Sequence, residues 1–262
     1  MDRRYAFLID LDGTMYAGRS AIPHAATFVA TLRRRNVPYL FVTNNSSRTP
    51  EAVAAHLTAL GIPAEGREVV TSSQAAARYI VEQMAGSRVY IIGEDGLRNA
   101  LLEAGLEPVE ERPDFVVQGI DRQFDYNKLE RAVRHIMNGA VYVLTNPDLL
   151  MPSDGRLVPG AGAISGAIRA AAQVEPVVIG KPSARIMQFA LQRLEAEAEV
   201  WVVGDNPATD VGAGRSAGLR TALVLTGIAN RENVETEMRK AGVRPDLVCD
   251  HLLDLLGRLG IS

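Results

Sequence analysis

Residues 5–14 read YAFLIDLDGT, a short apolar run that ends abruptly in two aspartates, a glycine and a threonine. Side chains alternate along an extended chain, so Asp10 and Asp12 would point the same way if the strand continued through them. Two such carboxylates repel by about 4 kcal/mol at ~4 Å with an effective dielectric of ~20. The pair persists where a cation lies nearby or where one carboxyl group holds a proton. The alternative is a strand followed by an ordinary Asp-Gly turn.

The composition indicates a globular protein whose 262 residues suffice for one large or two modest domains. A net charge of −3 supplies no basic field for nucleic acid or for an anionic membrane, so neither is an expected partner. The single cysteine, Cys249, excludes an internal disulfide framework, favours a reducing compartment and is expected in a buried strand. The sequence has no signal-like segment and no apolar run of about 18 residues, which predicts a cytoplasmic protein.

Strand and helix patterns alternate along the chain, which predicts parallel sheets covered by helices. One alternating series occupies residues 5–84 and resumes at residues 177–259. A second series, with strands and helices of its own, occupies residues 88–173. This order predicts an α/β protein in which an inserted segment buries a core of its own.

Four of the predicted buried strands end in polar residues. These residues are Asp10 and Asp12, Thr43 and Asn44, Lys181, and Asp205 with Asp210. In open α/β sheets, ligands bind in the crevice beyond the carboxyl ends of the strands, so the four clusters are expected to meet in space. Together they offer acids for a cation, a hydroxyl group and amides for an anion, and an ammonium group. This inventory fits Mg²⁺ and a phosphate group.

The same residues carry a resemblance to a known family. The sequences DLDGT (10–14) and GDNPATD (204–210), with Thr43 and Lys181 between them, resemble the four motifs of the haloacid dehalogenase (HAD) superfamily. The sequences FVTNNSSRT (41–49), TNPD (145–148) and IGKPS (179–183) are similar to its NagD/YutF-like phosphatase branch. The likeness covers essentially the whole chain.

The resemblance implies a Rossmann-like parallel-sheet core of the HAD type with an inserted α/β cap domain of the type-2 class. The catalytic core would comprise residues 1–80 and 178–262. The cap, which would roof the active site and select the substrate, would comprise residues 81–177. A homodimer formed through the cap is a further expectation from the resemblance.

The resemblance also implies a role for each motif residue. Asp10 would be the nucleophile, and Asp12 would be the general acid and then the general base. Lys181 would balance the charge of the nucleophile and of the phosphate. Mg²⁺ would be held by the Asp10 carboxylate, the Asp12 backbone carbonyl and Asp205. The presence of Asp12 favours a phosphatase or phosphomutase over a dehalogenase, because a dehalogenase has no leaving oxygen to protonate.

Further residues are expected to bind the substrate or to support the site. The phosphate group would be bound by the Thr43 hydroxyl group, by the turn at Gly13, and by Asn44 and Asn45. Asp210 and Asn206 would support the site, Asp210 through Lys181 or through metal-bound water.

Substrate choice is expected to lie in the segment 145–162, which is rich in turn-forming residues. Asn146, Asp148 and Met151 are the predicted substrate-facing residues. The alternative is a connecting loop whose polar side chains satisfy its own backbone.

The sequence therefore predicts a Mg²⁺-dependent phosphomonoester hydrolase that acts through an aspartyl-phosphate. The family implies small phosphate esters as substrates, namely sugar phosphates, nucleoside monophosphates and p-nitrophenyl phosphate. Two alternatives remain: a phosphotransferase or phosphomutase on the same scaffold, and a non-catalytic protein that binds a phosphate ligand.

Overall fold

The computed structural model describes residues 5–153, 156–194 and 196–261. Fifteen strands are found among them: β1 Tyr5–Ile9, β2 Tyr16–Ala17, β3 Ser20–Ala21, β4 Tyr39–Thr43, β5 Val69–Thr71, β6 Arg88–Ile92, β7 Glu107–Pro108, β8 Phe115–Gln118, β9 Val141–Leu144, β10 Leu150–Ser153, β11 Arg156–Pro159, β12 Val177–Val178, β13 Glu199–Gly204, β14 Arg220–Val224 and β15 Leu247–Cys249. The α-helices in the described residues are α1 Ala25–Arg34, α2 Pro50–Ala59, α3 Ser72–Gln83, α4 Asp95–Glu103, α5 Tyr126–Met137, α6 Ala161–Ala172, α7 Ala184–Leu194, α8 Gly212–Ser216, α9 Val234–Ala241 and α10 Leu252–Leu259.

The chain forms two compact units. The first comprises residues 1–43, 51–70 and 181–262, and the second comprises residues 44–50 and 71–180. Each unit contains its own largely parallel sheet with helices, so the predicted fold class, an α/β protein with a Rossmann-like core and an inserted α/β domain, is confirmed.

The first unit is built on a six-stranded sheet in the order β15-β14-β13-β1-β4-β5. Strand β1 lies in the middle, parallel to β13 on one side and to β4 on the other. Four of its five residues, from Ala6 to Ile9, are completely buried. A parallel strand covered by helices on both faces is apolar throughout, which explains the uninterrupted apolar run in the sequence. The predicted buried position of Cys249, in β15, is confirmed.

The second unit is built on a five-stranded sheet in the order β12-β9-β8-β6-β7, whose pairs are parallel. Tyr90, Ile92, Val116 and Ile168 belong to a buried cluster in this unit. The inserted segment therefore has a core of its own.

The boundaries of the units differ from the predicted boundaries of the core and the cap. Residues 44–50, 71–80 and 178–180, expected in the core, belong to the second unit. Helix α3 begins within this stretch and packs on α4. Near its start, the Ser72 hydroxyl group donates to the Asn44 carbonyl (2.8 Å) and the Ser73 hydroxyl group donates to the Ser46 carbonyl (3.1 Å). These contacts join two stretches that are distant in sequence. The periodicity of apolar residues along the chain does not reveal such contacts.

The segment 145–162, expected to be a loop, contains an antiparallel hairpin. Strand β10 pairs with β11, and Met151 lies opposite Val158. Asp154 and Gly155 separate the two strands and lie outside the described residues. An Asp-Gly dipeptide between two β-type runs is a strong hairpin signal. The abundance of turn-forming residues alone predicted only a loop.

Candidate active site

Three strand ends of the first unit meet because β4, β1 and β13 are neighbours. Ile9, the last residue of β1, is in register with Phe41 on one side and with Val203 on the other. Asp10 follows β1 directly, and its backbone N–H donates to the Val203 carbonyl (2.8 Å). Thr43 is the last residue of β4 and is buried. The carboxyl ends of these strands therefore place Asp10, Thr43 and Asp205 at one edge of the sheet, as predicted.

Lys181 lies at the centre of this edge and is 3% exposed. Its ammonium group donates to an Asp10 carboxylate oxygen, to Asp210 Oδ1 (2.7 Å) and to the Val42 carbonyl (3.2 Å). An ammonium group has three hydrogens, so these acceptors can use all of them. The Lys181 side chain is thus fixed between two aspartates, in agreement with the predicted link from Asp210 to the site.

Three buried carboxyl groups share this small volume. Asp10, Asp205 and Asp210 each offer an oxygen, and these oxygens lie within 4.8 Å of one another. Burial, followed by the charge of Asp210, raises the pKa of Asp10 well above its ordinary value in spite of Lys181. Burial and the same charge raise the pKa of Asp205 to about 7. Within the described residues, this is the group of acidic side chains arranged to hold a metal ion.

The pKa of Lys181 moves in the opposite sense from that expected of a buried ammonium group. Burial lowers it, but the carboxylates of Asp10 and Asp210 outweigh burial and hold the pKa above its ordinary value. Lys181 therefore remains charged, and part of the negative charge of the site is neutralised by the protein itself.

The carboxylate of Asp205 is enclosed by two glycine-containing turns. The Ile228 backbone N–H donates to its Oδ2 (2.5 Å). A Cβ atom at Gly13, whose φ is +83°, or at Gly227 would overlap the Asp205 carboxyl group. The Thr226 hydroxyl group donates to the Gly13 carbonyl (2.7 Å) and so joins the two turns. Glycine is required at both positions because the backbones approach the carboxylate closely.

The turn at residues 226–228 was missed by the sequence analysis. It follows β14, which is a buried strand of the same sheet. The signal was available, because Thr226 and Gly227 follow a strand in the same way as the four clusters that were predicted. They carry no charge, and an uncharged Thr-Gly pair after a strand is also typical of an ordinary turn.

Asn206 shapes the turn that presents Asp210. Its Oδ1 accepts from the Ala208 N–H (3.0 Å), and its backbone N–H donates to Asp210 Oδ2 (3.1 Å). Residues Pro207–Val211 form a π-helical turn that precedes α8. Asp210 is therefore bound through one oxygen to Lys181 and through the other to the backbone of its own turn.

Asp12 differs from Asp10 in its surroundings. The strand ends at Ile9, and the chain turns at Gly13 instead of continuing extended through both aspartates. Asp10 is buried and Asp12 is exposed. The Tyr16 hydroxyl group donates to Asp12 Oδ2 (3.1 Å). The Asp12 carboxylate is not part of the acidic group, and its predicted contact with a metal ion, through its backbone carbonyl, stays a prediction.

The remaining predicted residues belong to the second unit, where three of them form one hydrogen-bonded cluster. Asn44 Nδ2 donates to Asp148 Oδ2 (3.1 Å), and Asn146 Nδ2 donates to the Asn44 carbonyl (2.9 Å). The Asp148 N–H donates to Asn146 Oδ1 (3.2 Å). Several polar groups of these residues thus form hydrogen bonds with one another, which is close to the alternative that the polar side chains serve the loop itself. Substrate contact by these residues stays a prediction.

Asn45 and Met151 also make contacts within the second unit. Asn45 Oδ1 accepts from the backbone N–H groups of Ser47 (2.9 Å) and Arg48 (3.2 Å), which is a local turn. Met151 is half-buried and packs against the small apolar cluster that contains Leu144. Their predicted roles in substrate binding also stay predictions.

The sequence matches a known family in two separate ranges. Residues 7–107 match the profile of the haloacid dehalogenase-like hydrolases. Residues 178–255 match a second profile, described as HAD-hydrolase-like. Both ranges include residues of the site, Asp10 in the first and Lys181 in the second.

Two curated relatives are similar over most of their length. The 5'-nucleotidase YutF of Bacillus subtilis (strain 168) is 47% identical over 235 residues, which cover 89% of this chain and 92% of that protein. An acid sugar phosphatase of Staphylococcus saprophyticus is 43% identical over 232 residues, which cover 88% of this chain and 90% of that protein.

Solved structures give the same result. A p-nitrophenyl phosphatase from Archaeoglobus fulgidus superposes with a TM-score of 0.92 at 34% identity, covering 98% of this chain and all of that chain. A glycerol phosphate phosphatase from Mycobacterium tuberculosis, in complex with magnesium, superposes with a TM-score of 0.87 at 38% identity, covering 95% of this chain and 76% of that chain. With this identity and coverage, the chain belongs to the haloacid dehalogenase-like hydrolase family, in its NagD/YutF-like branch of phosphatases.

Proposed function

We propose that this chain is a Mg²⁺-dependent phosphomonoester hydrolase that acts through an aspartyl-phosphate on small phosphorylated metabolites. The observation that carries the proposal is the buried cluster in which Lys181 contacts Asp10 and Asp210 while Asp205 offers an oxygen to the same small volume. Such a cluster combines a nucleophile, a fixed positive charge and a set of hard oxygen donors. Phosphoryl transfer requires mainly positioning and charge neutralisation, which these groups can provide.

The donor set fits a divalent cation of the Mg²⁺ type. Carboxylate and carbonyl oxygens are the ligands that Mg²⁺ prefers. Burial and mutual repulsion raise the pKa values of Asp10 and Asp205, and a bound cation would relieve that repulsion. Asp10, Asp205 and the Asp12 carbonyl would hold the ion, which when bound would neutralise charge on the phosphate group. The magnesium complex of the mycobacterial glycerol phosphate phosphatase supports this choice.

The first half-reaction transfers the phosphoryl group to the enzyme. An Asp10 carboxylate oxygen attacks phosphorus, the bond from phosphorus to the ester oxygen breaks, and Asp12 gives its proton to that oxygen. The products are an alcohol and an aspartyl-phosphate. Lys181 stabilises the negative charge of Asp10 and of the phosphate oxygens, and Thr43 donates a hydrogen bond to the phosphate.

The second half-reaction returns the enzyme to its starting state. Asp12, now a carboxylate, takes a proton from a water molecule, whose oxygen attacks phosphorus. The bond from phosphorus to the Asp10 oxygen breaks, which releases inorganic phosphate and regenerates the Asp10 carboxylate. Asp12 is again protonated, so protons and charge balance over the cycle.

Small phosphate esters are the substrate class that the relatives support. Their names describe a 5'-nucleotidase, an acid sugar phosphatase, a p-nitrophenyl phosphatase and a glycerol phosphate phosphatase. We assign the choice among such esters to the second unit, through Asn146, Asp148 and Met151. A cytoplasmic location and a homodimer stay predictions. No helix in the described ranges combines the length and the apolarity needed to cross a membrane.

The test is phosphate release from a panel of nucleoside monophosphates, sugar phosphates, glycerol phosphate and p-nitrophenyl phosphate, with Mg²⁺ and with EDTA. We expect release that depends on Mg²⁺ and disappears in Asp10→Asn. Asp12→Asn should lower the rate by about 10²–10⁴-fold, which is the usual contribution of general acid–base catalysis. The matched control is Asp250→Asn, since Asp250 forms an exposed ion pair with Arg231 and should leave the rate unchanged.

Two results would contradict the proposal. Absence of phosphate release from every ester, with Mg²⁺ binding intact, would favour the non-catalytic phosphate-binding protein. Transfer of the phosphoryl group to an added alcohol in preference to water would favour the phosphotransferase.

A further inference from the structure

The carboxyl group of Asp12 is held by a neighbouring tyrosine. The Tyr16 hydroxyl group donates to Asp12 Oδ2 (3.1 Å), although Asp12 itself is exposed. The backbone fixes Tyr16 to the same turn, because the Gly13 N–H donates to the Tyr16 carbonyl (2.7 Å) and the Tyr16 N–H donates to the Leu11 carbonyl (3.2 Å). The hydroxyl group therefore has a defined position relative to Asp12.

The Tyr16 ring is fixed as well. Tyr16 is 7% exposed and belongs to the apolar core of the first unit. Its strand, β2, pairs with β3 so that Tyr16 lies opposite Ala21. The His56 ring of α2 contacts it edge-to-face, with ring centroids 5.0 Å apart and an interplanar angle of 88°. A ring held in this way directs its hydroxyl group without further loss of side-chain freedom.

We propose that Tyr16 is a positioning residue that orients the Asp12 carboxyl group for proton transfer, and that His56 keeps the Tyr16 ring in place. The inference rests on the proposed role of Asp12 as general acid. Proton transfer to a leaving oxygen requires a carboxyl group at hydrogen-bonding distance and in the correct orientation, which rotation of the side chain changes. The hydrogen bond from Tyr16 restricts that rotation. Tyr16 itself neither gains nor loses a proton in the reaction.

The chemistry of the leaving group separates this role from a general structural role. A p-nitrophenolate departs as a stable anion and needs little protonation as the bond from phosphorus to oxygen breaks. An alkoxide must receive the proton of Asp12. Loss of the orientation should therefore lower kcat/KM for an alkyl phosphate and leave kcat/KM for p-nitrophenyl phosphate nearly unchanged, because kcat/KM reports the steps up to departure of the alcohol.

The experiment measures kcat/KM of the full chain with glycerol phosphate and with p-nitrophenyl phosphate in the wild type and in Tyr16→Phe. The phenylalanine keeps the ring and removes only the hydroxyl group. We expect the ratio of the two kcat/KM values, alkyl to nitrophenyl, to fall about tenfold, as for the loss of one hydrogen bond to the carboxylate that Asp12 becomes when it gives its proton to the leaving oxygen. Tyr39→Phe is the matched control. Tyr39 lies at the start of β4, and its hydroxyl group contacts Arg33 and Glu68, so removal of that hydroxyl group should leave the ratio unchanged.

A second pair of variants tests His56. His56→Ala should lower the same ratio, and His56→Phe, which keeps an aromatic ring, should restore it. An unchanged ratio in His56→Ala would overturn the role of His56.

Other outcomes overturn the proposal for Tyr16. Equal losses with both esters in Tyr16→Phe would indicate a structural role, and unchanged values would indicate none. If Asp12→Asn lowers the ratio while Tyr16→Phe does not, this inference fails and the proposed function stands. If the wild type releases phosphate from no ester of the panel, the proposed function itself fails.

Discussion

At the scale of single residues, the site depends on one ammonium group placed among buried carboxylates. Lys181 contacts Asp10 and Asp210. Without the lysine, the negative charges of these two buried acids would have no positive partner there. A buried carboxylate without a partner takes up a proton, and a protonated Asp10 is not a nucleophile. Lys181 lowers the pKa of Asp10 and so favours its ionised form, and it is expected to stabilise the phosphate as well.

We expect Lys181→Met to lower kcat/KM for p-nitrophenyl phosphate by about 10²–10³-fold, since it removes a fixed charge at the reacting group. Methionine keeps much of the length of the side chain without the charge. Steady-state kinetics would measure the loss, and thermal unfolding would verify that the variant is folded. Lys240→Met is the control, because Lys240 forms an exposed pair with Glu237. A rate within about threefold of the wild type would contradict the role of Lys181.

The sequence predicted most of these residues, and the reason is chemical. Charged residues at the ends of buried strands are conspicuous, because burial is unfavourable for them unless a partner or ligand is present. Tyr16 and His56 were not singled out as residues that act on the site. A tyrosine and a histidine near apolar residues look like ordinary core or surface residues in the sequence. Only the structure shows that Tyr16 contacts both Asp12 and the His56 ring.

At the scale of secondary structure, the alternation of apolar and polar residues predicted the main strands and helices. It did not predict the hairpin of β10 and β11 or the π-helical turn that contains Asp210. Nor did it identify the turn at residues 226–228 as part of the site. The hairpin has a local signal, the Asp-Gly dipeptide between its strands. The place of residues 226–228 in the site depends instead on a contact between distant segments, the hydrogen bond from the Thr226 hydroxyl group to the Gly13 carbonyl, and local patterns do not contain that information.

The turn at residues 226–228 gives a prediction of its own. In Gly227→Ala, the added methyl group would overlap the Asp205 carboxylate and displace it. We expect the apparent affinity for Mg²⁺ to fall about 10–100-fold, as is typical when a residue that orients a ligand is changed. The activity measured over a range of Mg²⁺ concentrations gives this affinity.

The matched control for that variant is Gly257→Ala. Gly257 lies in α10, and a Cβ atom there meets nothing within 4 Å. This variant should keep its affinity for Mg²⁺ and gain about 0.5–1 kcal/mol of helix stability. An unchanged Mg²⁺ dependence in Gly227→Ala would show that Asp205 tolerates the methyl group, contrary to the prediction.

At the scale of the whole molecule, the sequence predicted two domains but not their edges. Composition and element order reveal that an insert is long enough to bury its own core. They do not reveal which unit a boundary element joins. Helix α3 is such an element, because its first turn is tied by Ser72 and Ser73 to the segment that contains Asn44 and Ser46. The boundary residues therefore depend on hydrogen bonds between segments that are distant in sequence, and the roles of the two units stay predictions.

Resistance to acid unfolding should depend on a charge remote from the site. Asp246 precedes β15 and accepts hydrogen bonds from the Thr221 N–H (2.8 Å), the Thr221 hydroxyl group (3.0 Å) and Arg220 (2.9 Å) on β14. Arg215 Nη2 lies 3.5 Å from Asp246 Oδ2. Burial raises the pKa of Asp246, but the hydrogen bonds from Arg220 and Thr221 outweigh burial and hold the pKa below 3.8. The ionised group therefore stabilises the fold above pH 3.8, and the stabilisation disappears as the pH falls through the lowered pKa.

Asp246→Asn should therefore lower the free energy of unfolding by about 1.5–3 kcal/mol at pH 7, the usual range for a hydrogen bond to a charged group. The difference from the wild type should shrink as the pH falls below 3.8. Denaturant unfolding followed by the fluorescence of Trp201, the single tryptophan, reports on the six-stranded sheet, because Trp201 lies in β13 beside Arg220. Asp250→Asn, at an exposed ion pair, should change the free energy by less than about 1 kcal/mol. A loss in Asp246→Asn that is independent of pH would mean that packing, and not the charge of Asp246, holds β14 and β15 together.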